Sequence, residues 1–222
     1  MIASDYQGEK GKDYAIGRGQ DRLNHLGDRL QASLFAPHLL KSDNVLDFGC
    51  GNASIAKALM NRVASIEGLE VNSYANDIAK SQGLTVYADL SEISFDKRYD
   101  VIISNHVFEH VVNVVETLGK LKLLLKPGGR LILILPLDDW REKNNREWFV
   151  SDPNHHLQTW TPLLIGNTMI EAGYQPQECK VLTHAWTYKL FFLGDGLIQH
   201  LACRLLSFIK KRRQIFAVGI NS

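Results

Sequence analysis

Short apolar runs alternate with amphipathic segments along most of the chain. Runs of β-branched residues and leucine are typical of strands buried on both faces, whereas apolar residues three or four positions apart indicate helices. The pattern predicts seven strands, over 45–48, 64–71, 84–88, 99–104, 131–135, 177–183 and 214–220. It predicts helices between them, over 54–62, 72–82, 109–125 and 161–171. This alternation predicts an α/β fold of three layers, in which helices cover both faces of a doubly wound, mostly parallel sheet.

Two segments lie outside the alternation. Residues 1–43 have no strand pattern, and leucines at 23, 26, 30 and 34 predict a helical N-terminal cap. The glycine-punctuated start of this cap fits either a lid ordered by ligand or, as we favour, a loose terminus. Residues 183–213 form an insertion far longer than a hairpin connection requires. We therefore expect one domain over 1–222, with a core at 44–182 and a last strand at 214–220.

Composition excludes few classes of function. The net charge of +1 gives no electrostatic reason to expect a nucleic-acid partner, so a small-molecule acceptor is the default. Three widely spaced cysteines suggest neither a disulfide framework nor a zinc site. The N-terminal residues do not resemble a signal peptide, and no charge-free apolar run approaches the length of a membrane span. A cytoplasmic location is the expectation.

Residues 45–53 (Val-Leu-Asp-Phe-Gly-Cys-Gly-Asn-Ala) carry the chemistry. A strand leading through a glycine turn into a helix is a nucleotide-binding start, because Gly49 and Gly51 let backbone N–H groups approach a ligand. Asp47 would repel a pyrophosphate at this helix, and Ser54 stands where a dinucleotide fold has its third glycine. A cationic ligand is favoured, and the amino and sulfonium groups of S-adenosylmethionine fit such an acid.

The same stretch resembles motif I of the class I S-adenosylmethionine-dependent methyltransferases, with Ala53 in place of the third glycine. The resemblance continues through a motif IV-like segment at 99–111 and the phrase Leu-Lys-Pro-Gly-Gly at 125–129, and it covers about residues 40–182 and the last strand. It implies S-adenosylmethionine as the cofactor. It also implies a seven-stranded, Rossmann-like sheet in which the last strand is antiparallel and lies beside the fifth and sixth strands.

Glu70 ends the second predicted strand about 20 residues after the glycine turn, where an acid accepts the ribose hydroxyls of an adenosine. A solvated strand-end acid is the alternative. The resemblance implies that Asp89 receives the adenine amino group and that the backbone of the next residue meets the ring. The expected cofactor-binding set is Asp47, Gly49, Cys50, Gly51, Glu70, Val71, Asp89, Leu90, Asn105 and His106.

Methyl transfer requires positioning of two partners, and a hydroxyl acceptor also requires a general base, for which histidine is suited. His106, His155 and His156 are the candidates at the carboxyl edge of the sheet, and His106 directly follows the fourth strand. Each also fits a structural role in a loop.

The segment Ser-Asn-His-Val-Phe-Glu-His-Val at 104–111 is similar to ubiquinone-biosynthesis O-methyltransferases, where acids and histidines can hold a divalent cation. Spacing places His106, Glu109 and His110 on one face if the segment is helical. We favour the alternative, in which Glu109 lies near the positive end of a helix and no metal is bound.

The insertion permits two interpretations. Its apolar residues and the basic run 210–213 suit peripheral contact with a membrane or a lipophilic acceptor through 184–213. Slightly favoured is a helical cap or a homodimer contact in which the apolar residues are ordinary core. The oligomeric state is left open.

Together these features predict an S-adenosylmethionine-dependent methyltransferase acting on oxygen or nitrogen of a sugar, a quinone precursor or a lipid-linked glycan. One alternative is a methyltransferase-like binding protein without turnover. A nicotinamide-dependent reductase is a weaker alternative, because Asp47 and the missing third glycine disfavour it.

Overall fold

The computed structural model of the chain describes residues 22–94, 96, 98–137, 156–183, 190–194 and 196–222, with positions 8, 11–13 and 16. These residues contain a seven-stranded sheet with the order β3-β2-β1-β4-β5-β7-β6. The strands are β1 Asn44–Phe48, β2 Ser65–Leu69, β3 Val86–Tyr87, β4 Tyr99–Asn105, β5 Leu125–Pro136, β6 Gln175–Thr183 and β7 Arg213–Ile220. The helices are α1 Arg22–Phe35, α2 Ser54–Leu59, α3 Ser73–Ser81, α4 Val114–Leu124, α5 Pro162–Glu171 and α6 Leu197–Ile209.

Strand direction confirms the predicted fold class. The first five strands pair in parallel, whereas β7 runs antiparallel to both β5 and β6. The chain order reverses between β1 and β4, whose carboxyl ends lie side by side with Asp47 opposite Ile103. Open α/β sheets bind their ligands at such a switch point. The fold therefore assigns the site to the loops that follow β1, β2 and β4.

Helices cover both faces of the sheet and enclose two apolar layers. Residues of α4 and α5, including Leu121 and Met169, pack in one layer. Residues of α1, α2 and α3, including Phe35 and Leu59, pack in the other. Because β5 is covered on both sides, residues 131–135 are fully buried, which explains their unbroken apolar sequence.

Side chains cap the first turns of two helices. The Asn72 side chain accepts a hydrogen bond from the Ala75 nitrogen at 3.0 Å and caps α3. Thr161 caps α5 in the same way through the Leu164 nitrogen at 3.1 Å, with Pro162 in the first turn. These bonds satisfy backbone N–H groups that have no partner within the helix.

Two predicted boundaries were wrong. The segment at 108–110 is a 3₁₀ turn, and α4 begins only at Val114. The fifth strand begins at Leu125 rather than 131, since Leu125 pairs with Tyr99 and the chain bulges before Arg130 pairs with Val101. Asn221 holds this bulge against the sheet by donating to the carbonyls of Leu125 and Lys126 at 3.0 and 3.1 Å. A partner nearly a hundred residues away thus extends the strand.

The apolar residues of the insertion were expected to be core of a helical cap or of a homodimer contact, and within the single chain the large ones of α6 are not buried. This helix buries Gln199, Cys203 and Ser207 and exposes most of its large apolar side chains. No helix in the described part of the chain is both long and apolar enough to cross a membrane.

Candidate active site

The turn after β1 depends on glycine at two positions for different reasons. Gly49 has φ +76°, and a Cβ there would lie 2.3 Å from Cγ2 of Val107. Gly51 has φ +54°, but a Cβ there would meet no atom within 4 Å. The backbone conformation favours glycine at Gly51, while the space beside it is open. The turn therefore leaves room for a ligand next to its second glycine.

Glu70 ties this turn to the end of β2. One carboxylate oxygen accepts a hydrogen bond from the Gly51 nitrogen at 2.9 Å, and the other accepts one from the Asn72 nitrogen at 2.8 Å. Burial raises the pKa of Glu70, although these backbone donors oppose the rise. The side chain is thus a partly buried, positioned acid rather than a freely solvated one.

Asp47 is a buried acid without an apparent structural purpose. Its side chain projects from β1 and is 2 % exposed, and its Oδ2 atom has no hydrogen-bond partner among the described residues. Burial raises the pKa of Asp47 to about 8, with further contributions from the charges of Glu70 and Asp28. An unpartnered polar atom in such a place is costly for folding and is typical of a functional site.

Other predicted cofactor residues lie at the same edge in different roles. Asp89 follows β3 and accepts hydrogen bonds from the Ser91 nitrogen and hydroxyl at 2.9 and 2.7 Å, which lower the pKa of Asp89. Asn105 ends β4, and its Oδ1 atom is buried without a partner in the part of the chain that the structure describes. Val71 and Leu90 pack partly buried against the core.

Cys50 contributes to the turn through its backbone and through its thiol, which donates to the Gly51 carbonyl at 3.8 Å. Its side chain is buried in the apolar layer beside α2, and a Cβ on Gly68 would lie 2.4 Å from its Sγ. Burial raises the pKa of the Cys50 thiol. The side chain therefore packs behind the turn.

His106 follows β4 in a left-handed backbone conformation, with φ +54°. This conformation costs on the order of 1 kcal/mol for a residue other than glycine. The His106 nitrogen donates to the Ile134 carbonyl at 2.9 Å, which helps to hold it. The ring lies between two oxygens, with Nδ1 3.5 Å from Oε1 of Glu109 and Nε2 3.4 Å from Oε1 of Gln214. Its position is therefore fixed from both sides.

A buried glutamine pair supports His106 from the N-terminal helix, and the sequence analysis missed it. Gln31 of α1 and Gln214 of β7 exchange hydrogen bonds through their amides at 2.9 and 3.1 Å, and both are buried. The sequence sign of this pair was a polar residue at each of two otherwise apolar places. Gln31 follows Leu30 on an apolar helix face, and Gln214 begins a buried strand. Their pairing links α1, β7 and the loop after β4.

Glu109 lies at the centre of a second polar cluster. It is 1 % exposed, and its Oε1 is 3.5 Å from His106 Nδ1 and 3.8 Å from His110 Nε2. Burial opposes ionisation, but the hydrogen bond and charge of His106 and the charge of His110 outweigh it and lower the pKa of Glu109. Its Oε2 atom is buried without a partner among the residues described.

His156 reaches this cluster from the loop before α5. Its ring stacks edge-on against His110 with centroids 4.9 Å apart. The nitrogens of Leu157 and Gln158 donate to the Glu109 carbonyl at 2.8 and 3.2 Å, which fixes the segment. His155, the third predicted base, lies outside the described residues.

Glu109, His110 and His156 could also hold a metal ion. Their nearest potential ligand atoms all lie within 4.8 Å of one another. The metal alternative considered from the sequence combined His106 with Glu109 and His110. In the structure, His156 takes the place of His106 in this group. Two imidazoles and a carboxylate are suitable ligands for a divalent transition metal.

The site thus has two parts with different chemistry. Around the glycine turn are two buried acids and an open backbone, which suit a cationic ligand with a ribose. Beyond the end of β4 are two histidines, His106 and His156, beside an ionised carboxylate, which suits proton transfer.

Comparison with known proteins shows which family the sequence matches. A family model described as a methyltransferase domain matches residues 19–178. The chain is 33 % identical to the ubiquinone biosynthesis O-methyltransferase of Rickettsia akari over 119 residues, 50 % of this chain and 47 % of that protein. It is 30 % identical to the protein of that name from Coxiella burnetii over 100 residues, 41 % of this chain and 43 % of that protein. The matched part is less than half the length of each of these relatives.

Solved structures share the fold at low identity. Geranyl diphosphate C-methyltransferase from Streptomyces coelicolor, solved with Mg²⁺, geranyl diphosphate and S-adenosyl-L-homocysteine, has a TM-score of 0.63 at 15 % identity, covering 86 % of this chain and 78 % of that one. The cyclopropane synthase MmaA2 from Mycobacterium tuberculosis has a TM-score of 0.60 at 13 % identity, covering 86 % and 82 %.

Proposed function

Since this chain belongs to the methyltransferase-domain family, we propose that it transfers a methyl group from S-adenosylmethionine to a hydroxyl oxygen of a small molecule. The observation that carries the proposal is the buried carboxyl of Asp47, whose Oδ2 has no partner among the described residues, beside a glycine turn held by Glu70. The O-methyltransferase names of the two bacterial relatives support oxygen as the acceptor atom.

The residues around the turn fit S-adenosylmethionine. Asp47 offers a negative charge to a cationic group, and its burial strengthens that attraction because little water competes with it. Glu70 presents a carboxylate at the end of β2, where it can exchange its bond to the Gly51 nitrogen for bonds to ribose hydroxyls. When bound, the cofactor supplies an electrophilic methyl group on a sulfonium.

Asp89, Leu90, Val71 and Asn105 complete the proposed cofactor set. Asp89 and Leu90 come after β3, next to β2, where an adenine ring would lie beyond the ribose. Asn105 carries a second buried, unpartnered oxygen at the end of β4. Gly49, Cys50 and Gly51 contribute backbone only.

His106 is our proposed general base, and Glu109 its positioning residue. When the acceptor hydroxyl takes the methyl group that the cofactor would supply, its proton would pass to Nε2 of the His106 imidazole, because Nδ1 faces the Glu109 carboxylate. Glu109 lies 3.5 Å from Nδ1 and stabilises the imidazolium that forms. Gln214 Oε1 lies 3.4 Å from Nε2, and the acceptor hydroxyl would take its place there. His156 is the second candidate, since it reaches the same cluster from the loop that follows β5.

The acceptor classes that we propose are a sugar, a quinone precursor or a lipid-linked glycan. Each of them presents a hydroxyl. The ubiquinone biosynthesis relatives favour the quinone precursor.

Calorimetric titration separates this function from its rivals. We expect the wild type to bind S-adenosylmethionine and not NADH, and Asp47→Asn to lose most of that affinity. Asp77→Asn, an exposed acid on α3, is the matched control and should bind as the wild type does. Binding of NADH instead would favour a reductase. Cofactor binding without methyl transfer to any hydroxyl acceptor in a labelled-methyl assay would favour a binding protein.

A further inference from the structure

The helix α6 buries a polar side and exposes an apolar side, which is the reverse of an ordinary surface helix. Gln199, Cys203 and Ser207, spaced four residues apart, form its buried side. Gln199 donates to the Leu190 carbonyl at 3.3 Å, and the Arg212 nitrogen donates to the Ser207 carbonyl at 2.9 Å. Both bonds are local to residues 190–212. The small and polar side chains of the helix face inward, and the apolar ones face outward.

The outward apolar residues form one continuous stripe. At 100° per residue they occupy an arc of about 120° along a helix about 20 Å long. Their exposed fractions lie between 57 and 74 %: Leu197, Ile198, Leu201, Leu205, Phe208 and Ile209. Phe192, in the turn before the helix, is 71 % exposed. A soluble protein rarely exposes so many large apolar side chains together unless they contact a partner.

A basic run directly continues the stripe. Lys210, Lys211, Arg212 and Arg213 follow the last turn of α6, and all four are exposed. Between residues 184 and 213 the sequence has six basic residues and one acidic residue. Lys210 and Lys211 are exposed directly beside the stripe, so a partner that covers the stripe also meets their charge. An anionic surface that is apolar below its headgroups would satisfy both features.

We infer that α6 and residues 210–213 form a membrane-docking surface, on which the helix lies in the headgroup region of an anionic bilayer. The stripe enters the acyl boundary, and the basic run contacts the lipid phosphates. The helix is far shorter than a membrane span, so it lies on the bilayer and does not cross it.

Co-sedimentation of the full chain with vesicles tests this inference. We expect binding to phosphatidylcholine mixed with phosphatidylglycerol, weaker binding to phosphatidylcholine alone, and release by salt. Lys210→Gln with Lys211→Gln should weaken binding to the mixed vesicles roughly 30-fold, since each basic residue near an anionic surface changes partitioning about fivefold. Lys57→Gln with Lys80→Gln, two exposed lysines elsewhere, should leave it unchanged.

A second pair of variants tests the stripe. Leu201→Gln with Phe208→Gln should abolish vesicle binding, whereas Leu163→Gln with Ile170→Gln, equally exposed on α5, should not. Circular dichroism checks that every variant is folded. The inference is overturned if the wild type does not bind mixed vesicles. It is also overturned if neither the Lys210 and Lys211 variant nor the Leu201 and Phe208 variant weakens binding. If the wild type forms a dimer and does not bind vesicles, and the variant with Leu201→Gln and Phe208→Gln is monomeric, the stripe is a subunit contact instead.

Discussion

The carboxylate of Glu70 accepts a hydrogen bond from the backbone nitrogen of Gly51 at 2.9 Å, so the end of β2 holds the glycine turn that follows β1. This contact couples the shape of the turn to the proposed ribose ligand. Replacing the carboxylate therefore tests both roles at once.

Glu70→Gln should weaken S-adenosylmethionine binding by about 10-fold to 100-fold, because a charged acceptor that bonds a hydroxyl contributes about 1.5–3 kcal/mol. The amide oxygen can still accept from the Gly51 nitrogen, but the amide NH2 then faces the Asn72 nitrogen, which also donates, so the melting temperature should fall by several degrees. Calorimetric titration gives the affinity and thermal unfolding gives the stability. Unchanged affinity would remove Glu70 from the proposed cofactor set.

Asp47 should make cofactor binding depend on pH. Below its pKa of about 8 the carboxyl is mainly protonated in the free protein, while a cationic ligand favours the ionised form. Affinity should therefore rise with pH up to about 8, by at most about tenfold per unit, and binding at neutral pH should release a proton. Calorimetry in two buffers of different ionisation enthalpy measures that release. Equal heats in both buffers would contradict the coupling.

Asp47 should also make the free energy of unfolding of the ligand-free protein decrease as the pH rises. The pKa of this carboxyl is about 8 when folded and 3.8 as a free side chain, so between these values the folded state holds a proton that the unfolded state has lost. Stability from this group is present at low pH and declines through that window. The difference in unfolding free energy between Asp47→Asn and wild type should grow by at most about 1.4 kcal/mol per pH unit. Urea unfolding at several pH values measures it, and a difference independent of pH would contradict the assignment.

His106→Gln should reduce turnover about 10²-fold or more while leaving cofactor affinity near that of the wild type, because a general base acts on the acceptor. Glu109→Gln should also reduce turnover and should shift the pH profile of kcat, since it removes the charge that stabilises the imidazolium. His156→Gln tests the second candidate. If His106→Gln and His156→Gln both turn over normally, neither histidine is the base.

Removal of metal should leave activity within about twofold of the starting value. The carboxylate of Glu109 already has the rings of His106 and His110 beside it at 3.5 and 3.8 Å, so it has polar neighbours without an ion. Dialysis against a chelator followed by the labelled-methyl assay measures the effect. A large loss that a divalent cation restores would instead assign Glu109, His110 and His156 to a metal centre.

Breaking the glutamine pair should destabilise the protein. Gln31→Leu leaves the buried amide of Gln214 with unmet hydrogen bonds, which costs about 1–3 kcal/mol. This corresponds to a fall of several degrees in melting temperature for a chain of this size. Ser33→Ala, an exposed change on the same helix, is the control. A normal melting temperature for Gln31→Leu would indicate that the pair contributes little.

Local patterns were sufficient for the cofactor half of the site. Asp47 and the two glycines adjoin one another in sequence, and Glu70 lies one strand–helix–strand unit later, so chain direction alone predicts their proximity. The contact between Gln31 and Gln214 joins residues 183 positions apart, and no local pattern encodes it. The orientation of α6 was unpredictable for another reason. Periodicity shows that a helix has an apolar stripe, but only tertiary packing decides which side faces the protein.

The placement of β7 between β5 and β6 has a consequence for the order of assembly. His106 and Gln214 lie 108 residues apart, and β6 is joined to the rest of the sheet only through β7 among the described strands. During synthesis, β1 to β5 can pair as they emerge, but the support for the His106 ring arrives only with the closing strand. Cofactor-binding competence is therefore expected to appear in the nascent chain before catalytic competence.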